Sequence, residues 1–242
     1  MKSSLDITLG AVSYLNTLPL LEGLTFPIKK EVPSQLLTIF NNSEVDAALL
    51  SAYDILQMPD AEIVDGIAIG CRGAVYSVIL AYEGELRDLQ QITLDPSSHT
   101  SNNLLKIILA EFYGLSPEYL EASSASETTL PRLIIGDPAI AFRKNANCSI
   151  LDLGEEWMRF TKLPFVFAMW CLNNKSTQKE YLSQCLQEAK KQGLLKRKAL
   201  AVTQPDPDFA LRYLTEYIRY DLGAEERQGL DLFKSLLKKC SL

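Results

Sequence analysis

Short apolar runs alternate with amphipathic stretches from the start of the chain to about residue 172, and this alternation predicts the order of elements. "LDITLGAV" (5–12) reads as a strand and "LNTLPLLEGL" as a short helix, with Pro19 tolerated in its first turn. "FPIKKEV" is a strand; "PSQLLTIFNNSE" is a helix opened by Pro33 and closed by an Asn pair. "VDAALLS" is a buried strand and "AYDILQM" a short helix ended by Pro59, before two apolar strands, "AEIVDGIAIGC" and "AVYSVILAYE". After Glu83-Gly84 the alternation restarts. "QITLD" is a strand, and "SHTSNNLLKIILAEFYG" a helix capped at its carboxyl end by Gly114. "YLEAS" and "RLIIGD" are strands, the second leading into "PAIAFRKN". "SILDLG" is a strand, "EEWMRFTK" a helix and "LPFVFAMWCLN" a long apolar strand. From Ser176 onward everything reads as helical, with Phe209, Tyr213 and Tyr217, then Leu230, Phe233 and Leu237, each marking a core-facing stripe.

Strand–helix alternation predicts an α/β protein with largely parallel sheets, and two successive blocks predict two lobes. The strands around Ser77 and Phe167 are long enough to pass between them. The expected boundaries are 1–79 plus 173–242 for a first lobe and 80–172 for an inserted second, with the ligand cleft between the two.

Composition narrows the class. The 242 residues are 47% hydrophobic and 22% charged, ordinary for a globular protein, with no repeat or low-complexity run. The net charge is −6, and the one basic block, "KKQGLLKRK" (190–198), reads as a solvated helical face, so no nucleic-acid partner is expected. Five scattered cysteines without a C-x-x-C pair suggest a reducing compartment, not a disulfide framework or zinc site. No signal-peptide pattern opens the chain, and no apolar run reaches the roughly 18 residues of a membrane span. The expected location is therefore cytoplasmic, with no membrane partner.

Candidate chemistry lies where strands lead into helices, the place at which open α/β sheets hold ligands. Four such junctions are rich in small polar residues: Ser13-Tyr14-Leu15-Asn16-Thr17, Ser51-Ala52-Tyr53, Ser97-Ser98-His99-Thr100-Ser101 and Gly136-Asp137-Pro138. Free backbone N–H groups and the helix dipole suit these places to carboxylates or phosphates, so a net-acidic chain can hold an anion without a basic patch. Helix capping explains one polar side chain per junction. Ser98 or Thr100 would cap the helix after it, and Asp137 is a plausible cap for its own. The surplus in the first and third junctions is what points to a ligand. His99 is the only histidine, which excludes a two-His metal site, and no G-x-S-x-G nucleophile elbow occurs. The His99 imidazole keeps open a charge-assisted contact to an anion. Trp157, Trp170, Phe165 and Phe167 are candidates for a pocket wall, the alternative being core packing.

"GAVSYLNTLPL", "GAVYSV", "DPSSHTSNNLL", "IGDPA" and "LDLGEEWMRFTKLPFVFAMW" occur in that order over about residues 7 to 172. Together they resemble the chorismate dehydratases of the futalosine-type menaquinone pathway. The resemblance implies a type II periplasmic-binding-protein fold used as a cytosolic enzyme. It also implies chorismate as substrate, 3-[(1-carboxyvinyl)oxy]benzoate as product, and water loss without cofactor or metal. It places Ser13, Asn16, Thr17, Ser77, Ser98, Thr100, Ser101 and Asp137 in the substrate site; Ser51, His99, Gly136, Phe167 and Trp170 join them as further candidates. Asn16 and Asp137 are the candidates for chemistry. The family usually shows Arg where this chain has His99. Two alternatives stay open at this point: the 1,4-dihydroxy-6-naphthoate-forming enzyme of the same pathway, and a non-catalytic binding protein for a small anion.

Overall fold

The structure, a computed structural model, describes residues 7–122 and 129–242. Leu5 and Asp6 of the first expected strand, and Ser123 of "YLEAS", lie outside the described residues. The first elements are β1 Leu9–Ala11, α1 Leu18–Leu21, β2 Ile28–Lys30, α2 Pro33–Asn41, β3 Ala47–Ser51, α3 Ala52–Leu56 and β4 Glu62–Cys71. There follow β5 Val78–Tyr82, β6 Gln91–Leu94, α4 His99–Ile107, β7 Glu118–Glu121 and β8 Arg132–Ile135. Then come α5 Gly136–Lys144, β9 Ser149–Asp152, α6 Leu153–Thr161 and β10 Phe165–Leu172. The last helices are α7 Lys179–Leu195, α8 Arg197–Val202, α9 Pro207–Arg212 and α10 Ala224–Lys239; single π-turns, Ile108–Phe112 and Tyr213–Tyr217, extend α4 and α9.

The chain divides into two compact units: residues up to Gly70 with Val166–Gly223, and Cys71–Phe165 with Ala224–Leu242. The crossings at Gly70–Cys71 and Phe165–Val166 come several residues earlier than the sequence-based boundaries at 79/80 and 172/173. The C-terminal run also divides. Residues 218–220 are extended, and Tyr220 and Arg219 exchange backbone hydrogen bonds with Ala68 and Gly70 of β4. An all-helical reading from Ser176 misses this, because the helical stripe of Tyr213 and Tyr217 ends just before it. Beyond it, α10 packs in the second unit: Phe233 makes edge-to-face contacts with Phe165 (5.1 Å between centroids) and Trp157 (6.2 Å). Gly229 lets α10 approach Pro164 so closely that a Cβ there would stand 2.1 Å from the Pro164 carbonyl oxygen.

In the first unit the sheet order is β2-β1-β3-β10-β4. β1 runs parallel to β2 and β3, and β10 antiparallel to β3. All five residues of β3 are buried, as its uninterrupted apolar run requires at the centre of a sheet covered on both faces. α2 covers this sheet with Leu36 and Phe40, each worth roughly 2 kcal/mol of burial. The second sheet has the order β7-β6-β8-β5-β9; β6 is parallel to β7 and β8, and β5 antiparallel to β8 and β9. Both sheets are thus mixed. Parallel pairing holds where helical crossovers join the strands, and β5 and β10, the first strands after each of the first two crossings between units, run against a neighbour. Among the described residues no helix is long and apolar enough to cross a membrane.

Candidate active site

Sheet topology gathers the polar junctions of each unit at one edge. In the first unit β1 and β3 are adjacent and parallel, so the turns leaving their carboxyl ends stand side by side. The first carries Ser13, Asn16 and Thr17, and the second carries Ser51. The antiparallel register of β10 sets Ala168 opposite Ser51, so the partly exposed Phe167 lies at the same edge.

The first junction forms a single 3₁₀ turn, Leu15–Thr17, leading directly into α1. Ser13 is exposed. Thr17 is buried and holds the N-cap position, yet its hydroxyl donates backwards to the carbonyls of Val12 (3.1 Å) and Tyr14 (2.7 Å) and caps nothing. The expectation that this junction caps the first helix through a side chain is therefore corrected: the 3₁₀ turn already occupies that part of the backbone. Asn16 is held through its main chain, its carbonyl accepting the Tyr220 hydroxyl at 3.0 Å. Burial pushes the Tyr220 phenol well above its ordinary range, so the donor stays protonated. The Asn16 Oδ1 is buried, and no hydrogen-bond partner stands against it among the described residues. A buried polar atom in that state calls for an explanation. Ser51 does cap its helix, accepting the Asp54 N–H at 3.3 Å while donating to the Asp54 carboxylate at 2.8 Å.

In the second unit β6 and β8 are adjacent and parallel, and the junctions after them begin α4 and α5. Ser98 is the N-cap of α4, accepting the Ser101 N–H at 3.2 Å and donating to the Ser101 hydroxyl at 3.0 Å. Ser98, Thr100 and Ser101 are buried and His99 between them is exposed. Gly136 opens α5 at φ +65°, and its N–H donates to the Ser77 carbonyl at 2.8 Å, which ties "GAVYSV" to "IGD". Ser77 itself is 1% exposed. Asp137 is exposed in the first turn of α5, where a carboxylate complements the helix dipole; the N-cap is Ile135, so the capping role expected of Asp137 is corrected.

Two aromatic candidates are core. Trp157 is fully buried against Phe165 (5.0 Å) and donates its indole N–H to the Pro164 carbonyl. Trp170 on β10 has no exposed surface, and its Nε1 lacks a partner among the described residues. Cys71 and Cys171 are buried, and burial pushes both thiols up, Cys171 to about 11.

The sequence reading missed Asp152. Its carboxylate is 3% exposed and accepts five hydrogen bonds: Oδ1 from Val75 N, Gly154 N and Glu155 N, and Oδ2 from Tyr76 N and Arg143 Nη1. Arg143 also donates to the Tyr76 carbonyl and stacks 4.4 Å from the Tyr76 ring centroid. The available signal was an Asp directly before "LGEE", a helix start. It reveals the cap and not the distant partners.

Two α/β units whose first sheet has the order β2-β1-β3-β10-β4, with polar strand-to-helix turns gathered at the sheet edges, form the type II periplasmic-binding-protein fold. The CA3427 gene product of Candida albicans, described as exhibiting the generic form of that fold, superimposes with a TM-score of 0.60 at 12% identity, covering 97% of this chain and 90% of that one. A family model described as menaquinone biosynthesis matches residues 7–239, and the chain belongs to that family. Its relatives include the chorismate dehydratase of Thermus thermophilus, 31% identical over 95% of this chain and 94% of that protein. The chorismate dehydratase of Campylobacter jejuni is 27% identical over 96% and 98%.

Proposed function

We propose that this protein is a hydro-lyase that converts chorismate to 3-[(1-carboxyvinyl)oxy]benzoate and water, in the cytoplasm and on the futalosine route to menaquinone. The observation that carries the reading is the likeness to two chorismate dehydratases over nearly the whole of each chain, so that both units are included. Supporting it, the polar junctions offer hydroxyl, amide and backbone groups suited to a compact dianion.

The reaction breaks the ring C–O bond and the C–H bond on the neighbouring carbon. The C–H electron pair becomes part of the aromatic ring, and the hydroxyl leaves with a proton as water. Aromatisation drives the reaction, and orientation lowers the barrier. Asn16 and the Ser/Thr groups hold the two carboxylates and direct the departing hydroxyl, and the substrate's own enolpyruvyl carboxylate receives the ring proton and passes it to that hydroxyl, which leaves as water. Positioning of this kind is worth about 7–11 kcal/mol in favourable cases. Chromatography after incubating purified protein with chorismate tests the reading: an aromatic product accumulates. Chorismate that binds tightly and is recovered unchanged would make the protein a binding protein instead.

Asp137 is the alternative proton acceptor. With the substrate carboxylate in that role, Asp137→Asn is expected to keep kcat within about threefold of wild type, since loss of a general base costs about 100-fold or more. A loss of that size would give the role to Asp137. His99 at the start of α4 is expected to contact a substrate carboxylate, so His99→Ala is expected to raise Kd for chorismate. An unchanged Kd removes His99 from the contact.

A further inference from the structure

We propose that Asp152 is the positioning residue of the candidate site in the second unit, holding Ser77 and the start of α5 in place through the backbone of Val75 and Tyr76. Capping α6 needs only the bonds from Gly154 N and Glu155 N. The other three donors are two amides 77 and 76 residues earlier in the chain and a guanidinium. They act on a strained place: Tyr76 has φ +68°, a conformation a bulky residue keeps only when its surroundings enforce it. Here the enforcement comes from Asp152 on the Tyr76 N–H and from Arg143 on its carbonyl and ring. The next residue is Ser77, whose carbonyl takes the Gly136 N–H. One buried carboxylate thereby fixes a line running through Tyr76 and Ser77 to Gly136 and Asp137. The geometry stands on its own; only its kinetic consequence rests on the dehydratase reading.

The test compares Asp152→Asn with Asn173→Ala, which removes a buried Asn of the first unit bonded to the Phe40 carbonyl and the Lys175 N–H. In Asp152→Asn, amide exchange at Val75, Tyr76 and Gly136 accelerates about tenfold relative to the ladder amides of β5 and β8, and in Asn173→Ala it does not. kcat for chorismate falls about 100-fold in Asp152→Asn with little change in KM, as a small misplacement of site groups produces. It stays at the wild-type value in Asn173→Ala. Should Asp152→Asn fail to fold, Arg143→Gln keeps the α6 cap and removes the guanidinium's contacts with the Asp152 carboxylate and with the Tyr76 carbonyl and ring, with faster exchange at Tyr76 and Gly136 and about a tenfold loss of kcat expected. Exchange that rises uniformly, or an unchanged kcat in a folded variant, overturns the proposal. A wild-type protein that leaves chorismate intact defeats the dehydratase reading alone, and the exchange pattern still decides the role of Asp152.

Discussion

Asn16→Ala is expected to lower kcat for chorismate by about 100-fold or more while leaving the melting temperature unchanged or slightly raised. The two halves of this result have one cause. The 3₁₀ turn is anchored by main-chain contacts, Thr17 N to the Tyr14 carbonyl and the Tyr220 hydroxyl to the Asn16 carbonyl, and neither involves the Asn16 side chain. The Oδ1 is buried and unpartnered among the described residues, so the folded protein carries its desolvation cost without a compensating bond. Removing it relieves that cost. On the proposed function, the same amide is expected to supply a hydrogen-bonding partner that substrate would otherwise find only in water. Asn16→Asp is expected to fail as well, because a carboxylate at that point repels a dianion. A variant that loses stability and keeps its turnover would make Asn16 a structural residue.

Gly193→Ala is expected to destabilise the first unit by about 3 kcal/mol or more, read as a drop in the denaturation midpoint. Helix propensity alone predicts the opposite, since alanine is favoured over glycine by about 1 kcal/mol inside a helix. Gly193 lies near the end of α7 where that helix presses on α1, and a Cβ there would stand 1.8 Å from the Pro19 carbonyl oxygen and 2.5 Å from its carbon. Both neighbours are backbone, so nothing moves without shifting α1. Because α1 follows directly on the turn bearing Asn16, the folded fraction of this variant should also show reduced kcat. A raised midpoint would mean that the α1–α7 approach is looser than the structure shows.

The elements legible in the sequence were those whose apolar pattern matched their burial. β3 is an unbroken apolar run because both faces are covered, and Ser98 was readable as a cap because its distance to the Ser101 N–H is set by local geometry. What escaped depends on partners far away in the chain. "AVYSVILAYE" reads as one continuous strand, yet only Val78–Tyr82 pair in the sheet, because Asp152 takes the Val75 and Tyr76 N–H groups. The extended residues 218–220 are invisible next to a helical stripe, since their partner is the end of β4. Of the candidate site, the polar junctions and their positions at the ends of strands were legible, whereas their fastening was not. Asp137 was readable as a helix cap by residue type, but the N-cap of α5 is Ile135; Thr17 does stand at the N-cap of α1, with its hydroxyl turned back to the Val12 and Tyr14 carbonyls.

The central claim is that the chain removes water from chorismate and leaves the enolpyruvyl ether intact. A proton NMR time course of chorismate with purified protein tests it most directly. The account predicts that the ring-diene signals give way to those of a meta-substituted aromatic ring while the vinyl protons of the ether persist. Unchanged chorismate, or free pyruvate appearing in place of the vinyl signals, would contradict it.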